Sequence, residues 1–225
     1  MTDSTDSAAK SRPSKSKERQ FKGLSMAERQ QARREKLIEA GIEAYGRHGF
    51  FSVTVKDICN EAKLTERYFY ESFKKSEHLF QTIFLKLIDE LQQNVMQAMM
   101  QASTDPKKMI EAGLTALLTT LRDNPRMARI IYIDAMLEQE LHNQATIHET
   151  MSRFDRMIHA FVMLMMPQLN RSEQEISLVS TGLNGYVTQI AIRWVMSGFK
   201  HSLEEVLSSC SVVFLALLES FSEKK

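Results

Sequence analysis

Little in this chain interrupts a helix. Its 225 residues include only four prolines and eight glycines, the two types that most disfavour helical backbone. Cysteine is scarcer still. Cys59 and Cys210 stand far apart, which excludes a disulfide framework and a cysteine-rich zinc site and fits a reduced, cytosolic setting. Long apolar runs are missing too: Val212–Leu218, which no other run exceeds, falls far short of the ~20 residues that span a bilayer. The opening MTDSTDSAAKSRPSKSKERQ has no apolar segment and is no secretory signal. Sustained strand-like alternation is also absent, which speaks against a sheet.

What the chain has is helix-forming mass. Apolar residues make up 43% and methionine alone supplies 14, amid abundant Leu, Ala, Glu, Gln and Lys. The reading is an all-α protein of nine helices. Residues 1–25 form a basic arm with little to bury, 26–75 a head of three short helices, and 76–225 a helical body. Punctuation sets the boundaries. Gly49 stops the first helix. Thr54 and Asp57 box the start of the second, and Thr65 can cap the third. Apolar residues from Leu79 to Met99 keep helical spacing for some 25 residues, about 38 Å. Asp105-Pro106 and Asn124-Pro125 each put a cap before a proline at the first helical position. Pro167 closes a helix containing Ile147, Met151, Phe154 and Phe161. Ser172…Glu175 and Ser202…Glu205 box the last two, with Gly198 between them.

Net charge is +1, but its distribution is uneven. Residues 1–75 carry 16 Lys/Arg against 11 Asp/Glu, and residues 76–225 carry 13 against 17. A basic front on an acidic body points to a polyanionic partner for the front. There the second and third helices, joined by a tight corner, have helix-turn-helix proportions. Within LTERYFYESF three rings stand in a row, and one face cannot hold them all. Helical spacing turns Leu64, Phe69 and Phe73 inward and leaves Glu66, Arg67, Tyr68, Tyr70 and Glu71 outside. Exposed aromatic and basic side chains on so short a helix fit a major-groove reader.

The stretch LIEAGIEAYGRHGFFSVTVKDICNEAKLTERYFYESFKKSEHLF, Leu37 to Phe80, resembles the tetracycline-repressor (TetR) family of bacterial transcription regulators. The landmarks are the Gly49-aromatic pair, Thr54-Val55 before Asp57-Ile58, Ala62, Tyr70, Phe73, and Glu77 with Leu79. The resemblance covers about a fifth of the chain. It implies a homodimer with two DNA-binding heads and a ligand-sensing body. By the same resemblance Tyr70 bonds a phosphate, Thr54 sets the second helix against the DNA backbone, and Lys75 meets a phosphate. Glu66, Arg67, Tyr68, Glu71 and Ser72 occupy base-reading positions, with Thr65 at their start. Arg67 suits guanine and Tyr68 a thymine methyl, with Glu71 orienting Arg67. Lys63 and Arg67 stand where the family often has glycine, and Ser76 where it often has lysine. The arm (Lys10, Arg12, Lys15, Lys17, Arg19, Lys22) is expected either to touch DNA or simply to solubilise.

For the body, the stripes of the last two helices read as a dimer interface: Ile176, Val179, Leu183, Tyr186 and Ile190, then Leu207, Cys210, Phe214 and Leu217. Gly182 and Gly185 lie on a second face that permits close helix approach. An effector pocket is expected near Asn94, Met99, Phe161, Met165, Asn184, Gln189 and Arg193, with methionine adapting to an apolar guest. The pairs Glu138/His142 and Asp155/His159 offer two ligands each and lack a third, so no metal is expected. No cofactor is implied, and no nucleophile elbow, phosphate loop or acid pair indicates an enzyme. The reading is a cytoplasmic, nucleoid-associated DNA-binding regulator, a repressor that binds a palindromic operator and is released by a small hydrophobic effector. The alternative is an architectural or cell-division factor on the same scaffold without a switch.

Overall fold

The computed structural model describes residues 25–137, 145–165 and 171–222. The basic arm, Glu138, His142, Met166 and Pro167 lie outside the described residues, as do the side chains of Ile147 and Met151. The rest is helical: α1 Met26–His48, α2 Val55–Ala62, α3 Glu66–Ser72, α4 Ser76–Ala102, α5 Pro106–Asp123 and α6 Pro125–Arg129, followed by α7 Ala145–Met165, α8 Glu173–Met196 and α9 Leu203–Ser222. After α6 the chain continues as a π-helical turn, Ile130–Asp134, and a last turn, Ala135–Leu137. Counting that rod once gives nine helices among the described residues, and no strand occurs among them.

The expected caps form. Ser25 with Glu28, Thr54 with Asp57 and Ser172 with Glu175 make reciprocal boxes. Ser202 and Glu205 exchange the same bonds at α9. Asp105 and Asn124 accept from the backbones of Lys107 and Met127, each with proline at the first helical position. Gly49 ends α1 at φ 85°, ψ 150°, a conformation that needs glycine. One start differs from expectation. Thr65 stands at the N-cap of α3 without a side-chain bond, while Ser76 opens α4 behind Lys75 as N-cap.

The head packs around α1. Leu37, Tyr45, Ile58, Phe69, Leu79 and Phe80 are fully buried, each contributing on the order of 1.5–3 kcal/mol of apolar burial. Tyr45, Phe50 and Phe80 form an aromatic knot, with ring centroids 5.3, 5.6 and 4.6 Å apart. The start of α4 therefore belongs to the head core, while its continuation through Leu87, Leu91 and Val95 belongs to the body.

A second junction ties head to body, and the sequence gives no sign of it. The α6 rod lies against α1. Arg126 pairs with Glu43 at 2.6 Å, and its stem fills the space beside Gly46, where a Cβ would collide with it. Arg129 presses its guanidinium on Gly49 in the same way. Asp134, on the π turn, is 2% exposed and accepts from the Phe50 N–H at 3.3 Å. Arg129 Nε lies 3.7 Å from the same carboxylate, an ion pair too long for a hydrogen bond. Burial pushes the Asp134 carboxyl above its ordinary range, against the opposing pull of Arg129.

Candidate nucleic-acid interface and body cavity

The helix-turn-helix forms because its corner is closed locally. Lys63 ends α2 in the left-handed region at φ 53°, and the N–H of Leu64 bonds back to the Cys59 carbonyl at 2.9 Å. Two residues later α3 begins. Phe69 is fully buried and Phe73 nearly so, while Tyr70 is 57% exposed. Phe69 therefore anchors α3, and Tyr70 stands outward at its edge, ring centroids 5.4 Å apart.

The outer layer of α3 is preordered. Arg67, with its side chain 83% exposed, donates to Glu71 at 3.1 Å, and Glu71 lies 3.9 Å from Arg33 of α1. Arg33 also stacks on the Tyr68 ring, 4.4 Å from its centroid. Tyr68 is thus half-buried, less outward than spacing alone implied. Arg34 covers the Phe73 ring at 4.3 Å, and its Nη1 is buried without a hydrogen bond. Sequence reasoning missed Arg33 and Arg34. Their spacing to α1's inward residues, Leu37 and Ile38, is the signal that places them over α3. Thr54, Thr65, Glu66, Arg67, Tyr70 and Glu71 are exposed, and Ser72 and Lys75 half-buried. They belong to α3 and to the N-caps of α2, α3 and α4. The set joins a protruding arginine, a tyrosine hydroxyl and helix starts, groups of the kind that meet bases and phosphates.

The residues expected to form a pocket divide. Met99, Phe161 and Asn184 line one chamber between α4, α5, α7, α8 and α9, together with Leu114, Phe154 and Met157. It holds about 560 Å³ of atom-free space, counting its opening to solvent. Asn94 points outward from α4. Gln189 and Arg193 line a separate recess on the outer side of α8. Met165 lies at the end of α7, half-buried. A second chamber, about 600 Å³ on the same measure, adjoins the first and is walled by Ile131, Tyr132 and Met136. Asp155, once a possible ligand, accepts from Thr181 and Asn184 at 2.9 and 2.7 Å. No group of three His, Cys, Asp or Glu fit for a metal occurs among the described residues. No described helix is long and apolar enough to cross a membrane.

The expected dimer stripe also needs revision. Ile176, Leu183 and Cys210 are buried in their own chain. Burial pushes the Cys210 thiol up to about 11. Val179, Tyr186, Ile190, Leu207, Phe214 and Leu217 are half-buried, and the Tyr186 hydroxyl donates to the Ser209 carbonyl at 3.0 Å, tying α8 to α9. Exposed on the same two helices are Leu178, Gly182 and Gly185 of α8 and Val212 and Ala216 of α9. A Cβ at either glycine would meet nothing within 4 Å.

Residues 37–83 match the family model of bacterial regulatory proteins, tetR family. No curated protein matches the chain in sequence. Solved structures match its fold over nearly their whole length. The fatty acid degradation regulator FadR from Bacillus halodurans superposes with a TM-score of 0.69 at 15% identity, over 80% of this chain and 93% of that one. FadR from Bacillus subtilis, solved in complex with stearoyl-CoA, gives 0.66 at 14%, over 80% and 96%. A TetR-family regulator from Pectobacterium atrosepticum gives 0.68 at 13%, over 88% and 97%. The chain thus carries over residues 37–83 the sequence pattern of the head of tetR-family regulators, and along its body it shares their fold.

Proposed function

We propose that the protein is a homodimeric repressor that holds a palindromic operator with two α3 helices and releases it when a small apolar molecule enters the body. Tyr70 and Thr54 meet phosphates, Lys75 extends that contact, and Arg67 reads a base, with Glu71 and Arg33 fixing its approach. The partner subunit covers the ridge of Leu178, Gly182, Gly185, Val212 and Ala216. Small residues there let the α8 and α9 helices of two subunits pack closely as a four-helix bundle. The site of action is chromosomal DNA in the cytoplasm.

One observation carries the switch. The π turn touches both ends of the mechanism: Ile131 and Tyr132 wall the inner chamber, while Asp134 holds the Phe50 N–H in the head. A guest that displaces the turn therefore acts on α1 directly, in addition to the path through α4. The two head orientations differ in operator affinity, and a guest that prefers the looser one shifts the population. An architectural factor without a switch has no use for unfilled chambers beside such a turn.

The test is a salt-controlled shift assay on operators recovered by genomic footprinting, paired with sedimentation. Arg67→Ala should lose about 1–3 kcal/mol of discrimination at a single base pair. Tyr70→Phe should weaken all sequences alike. Unchanged DNA binding in both variants would falsify the α3 assignment. Gly185→Trp should yield monomers that no longer shift a palindrome, and a stable dimer in that variant would remove the proposed interface.

A further inference from the structure

We infer that the effector is a single-chain amphiphile, a straight hydrocarbon tail with an anionic head group, and that tail length decides whether it triggers release. The inference rests on the proposed sensing role of the body and names the molecule sensed.

Three spaces follow one another. An outer cleft is lined by Gln92, Met96, Met100, Arg153, Arg156 and Leu164. It shares Met99, Met157 and Phe161 with the main chamber. The main chamber in turn shares Leu117, Phe154, Asn184 and Val187 with the inner one. Such a series suits a long, thin guest better than a compact one. Thioether side chains at the first shared wall bend around a chain without losing polar bonds.

The chemistry of the walls changes along the path. Asn184 is the single polar side chain on the main chamber, and its amide is engaged. Its Nδ2 donates to Asp155 Oδ1 at 2.7 Å, and its Oδ1 accepts from Thr188 Oγ1 at 3.5 Å. A guest hydroxyl or amide placed there would give up water and meet a single polar side chain that is already hydrogen-bonded. Methylene groups lose nothing, so the chamber selects hydrocarbon. The outer cleft has the opposite character. It has two arginines and no Asp or Glu in its lining. Arg153 pairs with Asp89 from beside the cleft. Arg156 is exposed, donates to Ser152 Oγ at 2.8 Å, and has no carboxylate partner among the described residues. A carboxylate or phosphate at the mouth meets that guanidinium while its tail enters between Met99 and Phe161.

The far end explains the length rule. The inner chamber closes on Ile131, Tyr132 and Met136, on and beside the π turn whose Asp134 holds the head. A short tail fills the main chamber and stops at Phe154 and Val187. A long one passes that waist and presses the turn. Binding and release should therefore separate with chain length.

The experiment uses the full chain, its operator, and octanoate, dodecanoate, hexadecanoate, hexadecanoyl-CoA and hexadecan-1-ol, each below its micellar concentration. Calorimetry reads binding and the shift assay reads release. Affinity should rise from octanoate to hexadecanoate, with release appearing only for the longer tails. Hexadecan-1-ol should bind about fivefold or more weakly than hexadecanoate, the scale of one exposed ion pair, and Arg156→Gln should erase that difference. A thioester that outperforms the free acid identifies a carrier-linked acyl chain, and the reverse identifies the free acid. Either supports the inference. Ile88→Trp, in the wall of the inner chamber and not of the main one, should keep octanoate binding and abolish release by hexadecanoate. The inference is overturned if the alcohol equals the acid, if affinity ignores tail length, or if no chain binds to protein that shifts its operator normally. Protein that shifts no operator at all would instead overturn the regulator reading, while calorimetry still decides the ligand.

Discussion

The head and the body are both helical and both apolar inside, yet they are packed to different standards. Around Tyr45, Phe50, Phe69 and Phe80 the rings interlock, Tyr45 edge to face with Phe50 and Phe80, and Phe50–Phe80 and Phe69–Phe73 at a tilt. Around Met99, Met157 and Phe161 the side chains leave two adjoining chambers. Dense interiors transmit displacement because they cannot absorb it. Loose ones admit a guest and repack. A rigid reader coupled to a compliant sensor is what a ligand-controlled DNA-binding protein requires. The difference between them comes from side-chain type more than from backbone, since aromatic rings have few rotamers and methionine has many.

The largest expected effect tests that contrast directly. Phe69→Ala should cost about 3–5 kcal/mol and Phe161→Ala clearly less, because a half-buried ring beside a chamber leaves little new cavity. Denaturant unfolding of both variants measures the difference, and equal losses would mean the two regions are packed alike. Next comes the junction. Gly49→Ala should cost about 1–3 kcal/mol, since φ 85° is strained for any side chain and the new methyl meets the Arg129 guanidinium. It should also weaken operator binding more than its stability loss accounts for.

A smaller effect is a pH dependence. The Asp134 carboxyl is raised by burial above its unfolded value of 3.8. The unfolded chain therefore ionises first, and this group's contribution is fully present below the unfolded value and lost as pH rises through the folded one. Asp134→Asn keeps an acceptor for the Phe50 N–H and should flatten that decline in melting temperature. A parallel pH profile in the variant would deny the carboxyl any role. The smallest effect belongs to the body. Met157→Leu should change stability by less than about 1.5 kcal/mol, as a volume-conserving swap in a loose wall, whereas Phe80→Leu in the head should exceed it.

The same contrast decides what could be read from the sequence. Helix starts were legible because Ser, Thr, Asp and Asn caps act over three residues, so Thr54 and Ser172 announce themselves. The split of the rings in α3 was legible too, since it depends on spacing alone and puts Phe69 in and Tyr70 out. Contacts between distant segments were not. Nothing near Asp134 says that it will hold Phe50, 84 residues away, and nothing near Arg33 says that its cation will cap Tyr68. The dimer ridge misled for a different reason. A stripe of large apolar residues marks burial without saying against what, and here the chain's own core took Ile176, Leu183 and Cys210. Gln189 and Arg193 line a recess apart from the main chamber, because a polar side chain amid apolar neighbours says nothing of which space it faces.

The π turn at Ile130–Asp134 also bears on how such a protein can change over time. On the proposed function, substitutions at Met99 or Phe161 would alter which molecule enters without touching the head. Substitutions at Ile131 or Tyr132 cannot be so confined, because their turn also positions Asp134 against Phe50. An effector preference of the proposed kind would therefore be open to variation at the mouth of the path, while its inner end is held to what the packing of Asp134 on Phe50 will tolerate.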